Sequence, residues 1–205
     1  RQASSLISAA MLSSSSIMYL CAAAATRSEI TLRNVPEQEL QAFLEVYQKI
    51  GGQYQANGGT LEVNGKRAVQ PIALVETKNY PGFPTDLQAP LMAVLTGAQG
   101  RSSIRENIFD QRFGSAFQMN KMGADIKIDG NQAVICGGRP LTGTQVQAGD
   151  LRGGAALIIA ALMAEGETCI TEAELINRGY EHICEDLQAL GCRIWQSGSR
   201  GFEEL

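Results

Sequence analysis

Two kinds of helical pattern alternate along this chain, separated by short strand patterns and glycine-containing turns. Between residues 34 and 49, the apolar side chains follow the spacing of one helix face: Leu40, Phe43, Leu44 and Tyr47. Residues 153–163 are instead small or apolar at every position, which predicts a helix buried on all sides. Strands must then surround such helices, so we expect an α/β fold built inside out.

One pattern recurs three times and suggests internal duplication. The junctions at which a helical stretch ends and a strand begins are Gly51-Gly52, Met122-Gly123 and Leu190-Gly191. A second match sets Thr85-Asp86-Leu87 against Gly149-Asp150-Leu151, with Asp86 and Asp150 separated by 64 residues. This period exceeds the roughly 20–50 residues of a solenoid repeat. It predicts a βαβαββ unit copied within one domain, with inner and outer helices.

The first residues fit this repeat as well. Residues 1–12 align without a gap on 152–163, which predicts another buried helix there. A signal peptide is the alternative, but four serines at 13–16 interrupt the apolar run. We therefore divide the chain into a divergent or truncated helical segment, 1–18, and a domain of about two and a half repeats, 19–205. The first unit should be incomplete, or completed by residues 1–12.

The composition of the chain limits its possible functions. With 205 residues and a net charge of −4, the chain lacks the basic character of general nucleic-acid binders. The sequence contains no run of 18 apolar residues and therefore predicts no membrane helix. Five scattered cysteines without a CxxC pair, and a single histidine, argue against a zinc site or a Cys/His nucleophile. We expect no metal, no cofactor, reduced cysteines and a cytoplasmic location.

Four motifs, in order and at fitting separations, carry a family resemblance. They are Pro84-Thr85-Asp86-Leu87-Gln88-Ala89, Ile108-Phe109-Asp110-Gln111-Arg112-Phe113, Gly149-Asp150-Leu151-Arg152 and Asn177-Arg178-Gly179-Tyr180-Glu181. Together they resemble the carboxy-terminal half of the bacterial UDP-N-acetylglucosamine enolpyruvyl transferases (1-carboxyvinyltransferases). The resemblance implies an inside-out α/β barrel of βαβαββ units, one of two similar domains. It also implies transfer of the enolpyruvyl group of phosphoenolpyruvate to the sugar-nucleotide 3-hydroxyl, with release of phosphate, in peptidoglycan synthesis.

The chain differs from the family in its length and at one position that is usually acidic. Family members are about twice as long, and their reactive loop cysteine belongs to the other domain. The chain also starts without methionine, and Asn177 stands where the family usually has an acid. We therefore expect a partial enzyme that needs a second, cysteine-bearing domain and is inactive alone.

Three arginines stand at or near predicted helix starts, at Arg112, Arg152 and Arg178, where a cation opposes the helix dipole. The helices concerned are predicted over 109–122, 151–164 and 178–190. An arginine in a first turn makes sense if an anion is bound there, because helix N–H groups and a guanidinium then converge on it. The alternative is a surface arginine paired with a carboxylate. By resemblance, Arg178 contacts phosphoenolpyruvate, and Arg112 and Arg152 help to form an anionic cleft.

Two aspartates precede predicted helices, and spacing alone makes both Asp86 and Asp150 helix N-caps. By resemblance, Asp86 instead faces the sugar 3-hydroxyl and accepts its proton, whereas Asp150 caps a helix and orients Arg152. Ile108 matches the apolar residue against the uracil ring. The small residues at 153–156 predict close helix packing, since no lysine follows to make a phosphate loop.

Two other functions stay open at this point. The runner-up is a non-catalytic sugar-nucleotide-binding or regulatory relative that kept the fold. A third possibility is the shikimate-pathway enolpyruvyl transferase, which shares the fold but whose strongly basic substrate motifs this sequence lacks.

Overall fold

The computed structural model describes residues 5–7 and 13–196. Within these residues, no helix is both long enough and apolar enough to cross a membrane. The chain forms three units of the same kind, each starting with a strand, an inner helix and a second strand parallel to the first.

The first two units contain the same succession of elements. The first comprises β1 (Ser5–Ile7), α1 (Ser13–Thr26), β2 (Glu29–Leu32), α2 (Glu37–Lys49), β3 (Gln53–Asn57) and β4 (Thr60–Asn64). The second comprises β5 (Val75–Glu76), a 3-10 turn (Thr85–Leu87), α3 (Gln88–Thr96), β6 (Gly100–Arg105), α4 (Gly114–Lys121), β7 (Ile126–Asp129) and β8 (Gln132–Gly137). The third comprises β9 (Gln145–Gln147), α5 (Leu151–Met163), β10 (Cys169–Thr171), α6 (Glu174–Asn177) and α7 (Ile183–Ala189).

Sheet topology confirms that the units are equivalent. The first sheet has the order β1-β2-β4-β3 and the second the order β5-β6-β8-β7, with one parallel and two antiparallel pairings in each. In the third unit β9 and β10 pair in parallel, and the closing hairpin is absent from the residues that the structure describes. The predicted βαβαββ repeat is therefore confirmed.

The helices α1, α3 and α5 form the core and pack against one another. All of α3 is buried, and so are residues 17–24 of α1 and 153–160 of α5. The last residues of all three helices line one cavity of about 390 Å³, so the three run in the same direction. The predicted burial of 153–163 is correct for 153–160. Residues 161–163 are partly exposed, because Leu162 and Met163 line that cavity.

Small residues let a further helix approach the core, as the sequence predicted. A Cβ atom at Gly154 would lie 2.4 Å from Ile176 Cγ1 and 3.2 Å from the Cβ of Ala148. Ile176 belongs to α6 and is 3% exposed. Glycine at position 154 thus allows α6 to pack directly on α5.

Each outer helix ends in the same way. Gly51, Gly123 and Gly191 follow α2, α4 and α7 with φ of 94°, 98° and 87°. In each case the glycine N–H donates three residues back and the next N–H five residues back, the Schellman arrangement. The aligned junctions Gly51-Gly52 and Met122-Gly123 match Gly52 with Gly123. This match is wrong by one residue, because the structural equivalent of Gly123 is Gly51.

The predicted helix over residues 1–12 is wrong for residues 5–7, and its other residues lie outside those described. Ser5–Ile7 is a strand that pairs in parallel with β2, because this pairing completes the first unit. Ser14, rather than Arg1, takes the place of Arg152 as the second residue of an inner helix. The division of the chain at residue 18 stays a prediction, and α1 runs across that position.

Two predicted helix starts are also wrong. The outer helix of the second unit begins at Gly114 and not at residue 109, since 109–113 form a loop in which Gln111 has a φ of 57°. Of the helix predicted over 178–190, only α7 forms, because residues 178–182 are a non-helical link between α6, which ends at Asn177, and α7, which begins at Ile183. Gly179 lies in this break and packs on Leu151, where a Cβ would approach Leu151 Cδ2 to 2.8 Å.

We expect Gly154→Ala to lower the free energy of unfolding by about 1–3 kcal/mol, because the added methyl overpacks the α5–α6 contact. Gly114→Ala is the matched control, since a Cβ at this helical glycine meets nothing within 4 Å. It should be neutral or stabilising by up to about 1 kcal/mol. Urea denaturation of both variants checks this, and equal stability of the two would contradict the packing role of Gly154.

Candidate active site at the start of the inner helices

Asp86 lies between two arginines where α3 and α5 begin. Its Oδ1 is 2.6 Å from Arg152 Nε, and its Oδ2 accepts a hydrogen bond of 2.9 Å from Arg152 Nη2. Arg112 Nη2 lies 3.7 Å from Oδ1 on another side. The Asp86 side chain is 46% exposed, so solvent and small ligands can reach it. The fold thus gathers Asp86, Arg112 and Arg152 from three separate sequence motifs.

Asp86 and Asp150 play different structural roles, although spacing alone made both of them caps. Asp150 is the N-cap of α5, and its Oδ1 accepts hydrogen bonds of 2.8 Å from the backbone N–H groups of Arg152 and Gly153. Asp86 instead lies within the 3-10 turn, and its side chain caps no helix among the described residues. The cap prediction is therefore confirmed for Asp150 and wrong for Asp86.

Arg152 fulfils the prediction of an arginine in a helix first turn. It is the second residue of α5, and its backbone N–H is satisfied by the Asp150 cap. Its guanidinium makes the bidentate pair with Asp86, which offsets the unfavourable position of a cation at a helix N-terminus. The ion-pair alternative, left open by the sequence, thus describes the Arg152 side chain in the structure.

Arg112 reaches Asp86 from a loop. The loop over 107–113 follows β6, and the Arg112 guanidinium carbon lies 4.6 Å from the centre of the Phe109 ring. Such a cation–π contact fixes the direction of an arginine that has no helix to support it. Ile108 is half-buried in the same loop, and its N–H donates to Glu106. Ile108 and Arg112 therefore belong to the same loop, and the contact with Asp86 is made by Arg112.

Arg178 is not at a helix start. It is exposed, follows the last residue of α6, and makes no ion pair with the residues that the structure describes. A cation at a helix C-terminus is favourable, so the dipole argument made for Arg178 from the sequence is wrong. The segment nevertheless borders the site, because Gly179 packs on Leu151, the first residue of α5.

Tyr180 is a buried neighbour of the site that the sequence did not single out. Burial of its hydroxyl raises the pKa of Tyr180 to about 12, with a further rise from Cys21. The charge of Arg152 lowers this pKa and that of Asp86 raises it. The Tyr180 hydroxyl thus feels the Asp86–Arg152 pair, while burial keeps it neutral.

Glu106 and Thr85 were also missed. Glu106 directly follows β6, is 2% exposed and accepts hydrogen bonds from two threonines and two backbone N–H groups. One of the threonines is Thr85, the neighbour of Asp86. An acid at the end of a strand was the available signal, but Glu106 carries no motif of its own.

Removing the Asp150 cap should cost about 1 kcal/mol of unfolding free energy in Asp150→Ala. Asp150→Asn should cost less, because asparagine also accepts from the first helix N–H groups. Asp86→Asn is the comparison, since it removes an exposed ion pair worth about 0–1 kcal/mol and no cap. Chemical denaturation of the three variants measures the order, and a larger loss in Asp150→Asn than in Asp150→Ala would contradict the capping role.

Ionisation of Tyr180 should destabilise the fold at alkaline pH. Its folded pKa of about 12 lies above the usual 10, so the effect is absent below pH 10. Above pH 10 the unfolded chain loses this proton first, and the free energy of unfolding falls by up to about 1.4 kcal/mol per pH unit until the folded pKa is passed. Tyr180→Phe should show a shallower fall between pH 10 and 12 in urea titrations. Parallel curves would mean that Tyr180 does not contribute.

Comparison with known proteins identifies the family. Residues 13–187 match the family of EPSP synthase (3-phosphoshikimate 1-carboxyvinyltransferase). The chain is 46% identical over 178 residues to a UDP-N-acetylglucosamine 1-carboxyvinyltransferase 2 of Clostridium tetani, covering 87% of this chain and 42% of the relative. It is 42% identical over 179 residues to a UDP-N-acetylglucosamine 1-carboxyvinyltransferase of Desulfofundulus thermocisternus, covering 87% and 73%. The resemblance inferred from the four motifs is confirmed.

Solved structures support the fold. The enolpyruvyl transferase NikO from Streptomyces tendae superposes with a TM-score of 0.77 at 23% identity, over 87% of this chain and 42% of that one. The EPSP synthase from Acinetobacter baumannii gives a TM-score of 0.67 at 18% identity, over 85% and 44%. The chain thus spans less than half the length of these proteins and of the Clostridium tetani relative. By its sequence match and its fold, it belongs to the carboxyvinyltransferase (enolpyruvyl transferase) family.

Proposed function

We propose that this chain is the base-bearing, substrate-binding part of a UDP-N-acetylglucosamine enolpyruvyl transferase of peptidoglycan synthesis. The observation that carries the proposal is the position of Asp86, an accessible carboxylate held in place by Arg152 and approached by Arg112. The names of the relatives favour the sugar-nucleotide substrate over shikimate phosphate, since those at 40–46% identity are UDP-N-acetylglucosamine enzymes.

Asp86 is the proposed general base. Addition of the hydroxyl oxygen to C2 of the enol phosphate requires loss of the hydroxyl proton, while C3 gains a proton. Phosphate then leaves C2 as C3 loses a proton, which gives the enol ether product. A carboxylate aimed by a bidentate guanidinium is suited to the first step, because its two oxygens are fixed before substrate arrives. Asp150 supports this arrangement indirectly, since it caps the helix that carries Arg152.

The arginines and Ile108 are the proposed binding groups. Arg112 and Arg152 supply positive charge to the anionic substrates, next to the N-terminus of α5. Arg178 is exposed on the segment that packs on Leu151, so its side chain is available to phosphoenolpyruvate. Ile108 presents an apolar side chain for the uracil ring on the same loop as Arg112.

The reactive cysteine is proposed to lie in a second domain. Of the five cysteines here, Cys21, Cys184 and Cys192 have pKa values raised above the usual range, each chiefly by burial. Burial disfavours the thiolate that attacks carbon. By the family resemblance and the partial coverage of the relatives, the proposed enzyme works between two walls, of which this chain forms one, and the chain alone should be inactive. Its five free cysteines agree with the proposed cytoplasmic location.

A chimera tests the proposal on single residues. The segment of the Clostridium tetani relative that matches this chain is replaced by the corresponding segment of this chain, and phosphate release from phosphoenolpyruvate is followed with UDP-N-acetylglucosamine present. Asp86→Asn should lower turnover by about 100-fold or more, the usual scale for loss of a general base. Affinity for the sugar nucleotide should stay within about threefold, because asparagine keeps the shape of the side chain and one accepting oxygen.

Two further variants serve as controls in the same chimera. Arg178→Ala should mainly weaken phosphoenolpyruvate binding, by about 1.5–3 kcal/mol, because it removes a charge-assisted contact. Asp150→Asn should retain turnover within about tenfold, because the residue acts through α5. Full turnover by Asp86→Asn would show that Asp86 is not the base. An inactive chimera that still binds the sugar nucleotide would favour the non-catalytic, sugar-nucleotide-binding alternative.

A further inference from the structure

Glu106 is a buried carboxylate whose hydrogen bonds run to two different segments of the site. It is 2% exposed, and the described residues place no lysine or arginine in an ion pair with it. A carboxylate removed from water is costly unless donors satisfy its oxygens. Four neutral donors satisfy the Glu106 carboxylate. The chain segments that carry these donors indicate what Glu106 does.

The two carboxylate oxygens serve different segments. Oε1 accepts from Thr77 Oγ1 at 2.8 Å, from Ile108 N at 2.8 Å and from Phe109 N at 3.1 Å. Oε2 accepts from Thr85 Oγ1 at 2.8 Å. Oε1 therefore fixes the start of the loop that carries Arg112, and Oε2 holds the turn that carries Asp86.

The same two segments meet again at the far side, which closes a ring of contacts. This ring of contacts runs first from Glu106 to the backbone N–H of Phe109. The phenyl group of Phe109 then lies with its centre 4.6 Å from the guanidinium carbon of Arg112. Arg112 Nη2 then lies 3.7 Å from Asp86 Oδ1, and the neighbouring Thr85 returns to Glu106. Each residue in the ring thus contacts its two neighbours in the ring or, for Thr85 and Asp86, is bonded to one of them along the chain.

We propose that Glu106 is a positioning residue that sets Asp86 and Arg112 relative to each other through Thr85 and Phe109. The use of this arrangement for enolpyruvyl transfer rests on the function proposed above. The link itself lies within this chain and can be tested without substrate.

Glu106 also has backbone hydrogen bonds with Asn131, its N–H donating to the Asn131 carbonyl and its carbonyl accepting from Asn131 Nδ2. A purely structural role would therefore be to hold the end of β6 to the β7–β8 turn. The two roles predict different consequences at Asp86. Anchoring of β6 affects only stability, whereas positioning also affects the hydrogen bond between Asp86 and Arg152.

Thr85→Val is the decisive variant, because it removes the hydroxyl that faces Oε2 and leaves the shape and the Oε1 contacts in place. Thr96→Val is the matched control. Thr96 is 3% exposed and lies at the other end of α3, where its hydroxyl donates to the Ala93 carbonyl. Both substitutions delete one hydrogen-bonding threonine hydroxyl from the same stretch of chain.

The readout is the exchange rate of the Arg152 Nε–H proton in the 205-residue chain, measured by ¹⁵N NMR beside thermal melting. In Thr85→Val this rate should rise at least about fivefold, the factor corresponding to one net hydrogen bond. In Thr96→Val it should stay within about twofold at a similar loss of melting temperature. Unchanged exchange in Thr85→Val, or an equal rise in both variants, would overturn the positioning role.

Glu106→Gln provides a rescue test. The amide oxygen can accept from Thr77, Ile108 and Phe109, and the NH₂ group can donate to the Thr85 hydroxyl oxygen. The ring then survives, and Arg152 exchange should stay within about twofold of wild type, whereas Glu106→Ala should raise it as Thr85→Val does. A rise in Glu106→Gln equal to that in Glu106→Ala would overturn the proposal. Addition of UDP-N-acetylglucosamine to the chimera described above tests the proposed function separately, since failure to perturb the Arg112 and Arg152 signals there counts against that function alone.

Discussion

The structure depends on the close packing of three apolar helices that run in the same direction. Because α1, α3 and α5 have little polar surface of their own, they can be kept from water only by each other and by the sheets and outer helices around them. Fully burying one aliphatic side chain contributes about 1.5–3 kcal/mol. Close approach in turn requires small residues, and Gly154 is the clearest case, since α6 occupies the space that a side chain would need.

This packing brings the ends of the helices together and so creates the site. Asp86 lies just before α3 and Arg152 in the first turn of α5, 66 residues apart in the chain. They meet because their helices are neighbours in the core. A change of register between α3 and α5 would therefore separate the carboxylate from its guanidinium, even if each helix stayed intact. The geometry of this cluster is a consequence of core packing.

Local features of the fold could be predicted from the sequence, whereas features made by distant partners could not. The Schellman glycines and the Asp150 cap depend on hydrogen bonds that span a few residues, and both follow from local pattern. The strand at Ser5–Ile7 depends on an open edge at β2, which no local pattern reveals. The start of the last helix was misplaced because Gly179 packs on Leu151, a tertiary contact.

The site shows the same division. Resemblance to a family pointed to Asp86, Arg112 and Arg152, and the fold brings those three together. Glu106 could not be recognised from the sequence, because its hydrogen-bond partners Thr77 and Thr85 lie 29 and 21 residues away. Its other partners belong to a loop that the sequence pattern predicted in part as a helix. Arg178 was given a helix start that it does not have, so its proposed role rests on resemblance and on its place beside Leu151.

The common direction of the inner helices gives the whole domain an electrical polarity. Each helix carries about half a positive elementary charge at its start and half a negative charge at its end, and parallel helices add these charges where antiparallel ones would cancel them. The end with Asp86 and Asp150 is thus the positive pole of the backbone, and the cavity at the opposite end, which Arg27 and Arg139 line, is the negative pole. Asp86 and Asp150 carry the opposite charge at the positive pole, and Arg27 and Arg139 carry it at the negative pole. Because this field belongs to peptide groups, it persists through any side-chain substitution that preserves the fold.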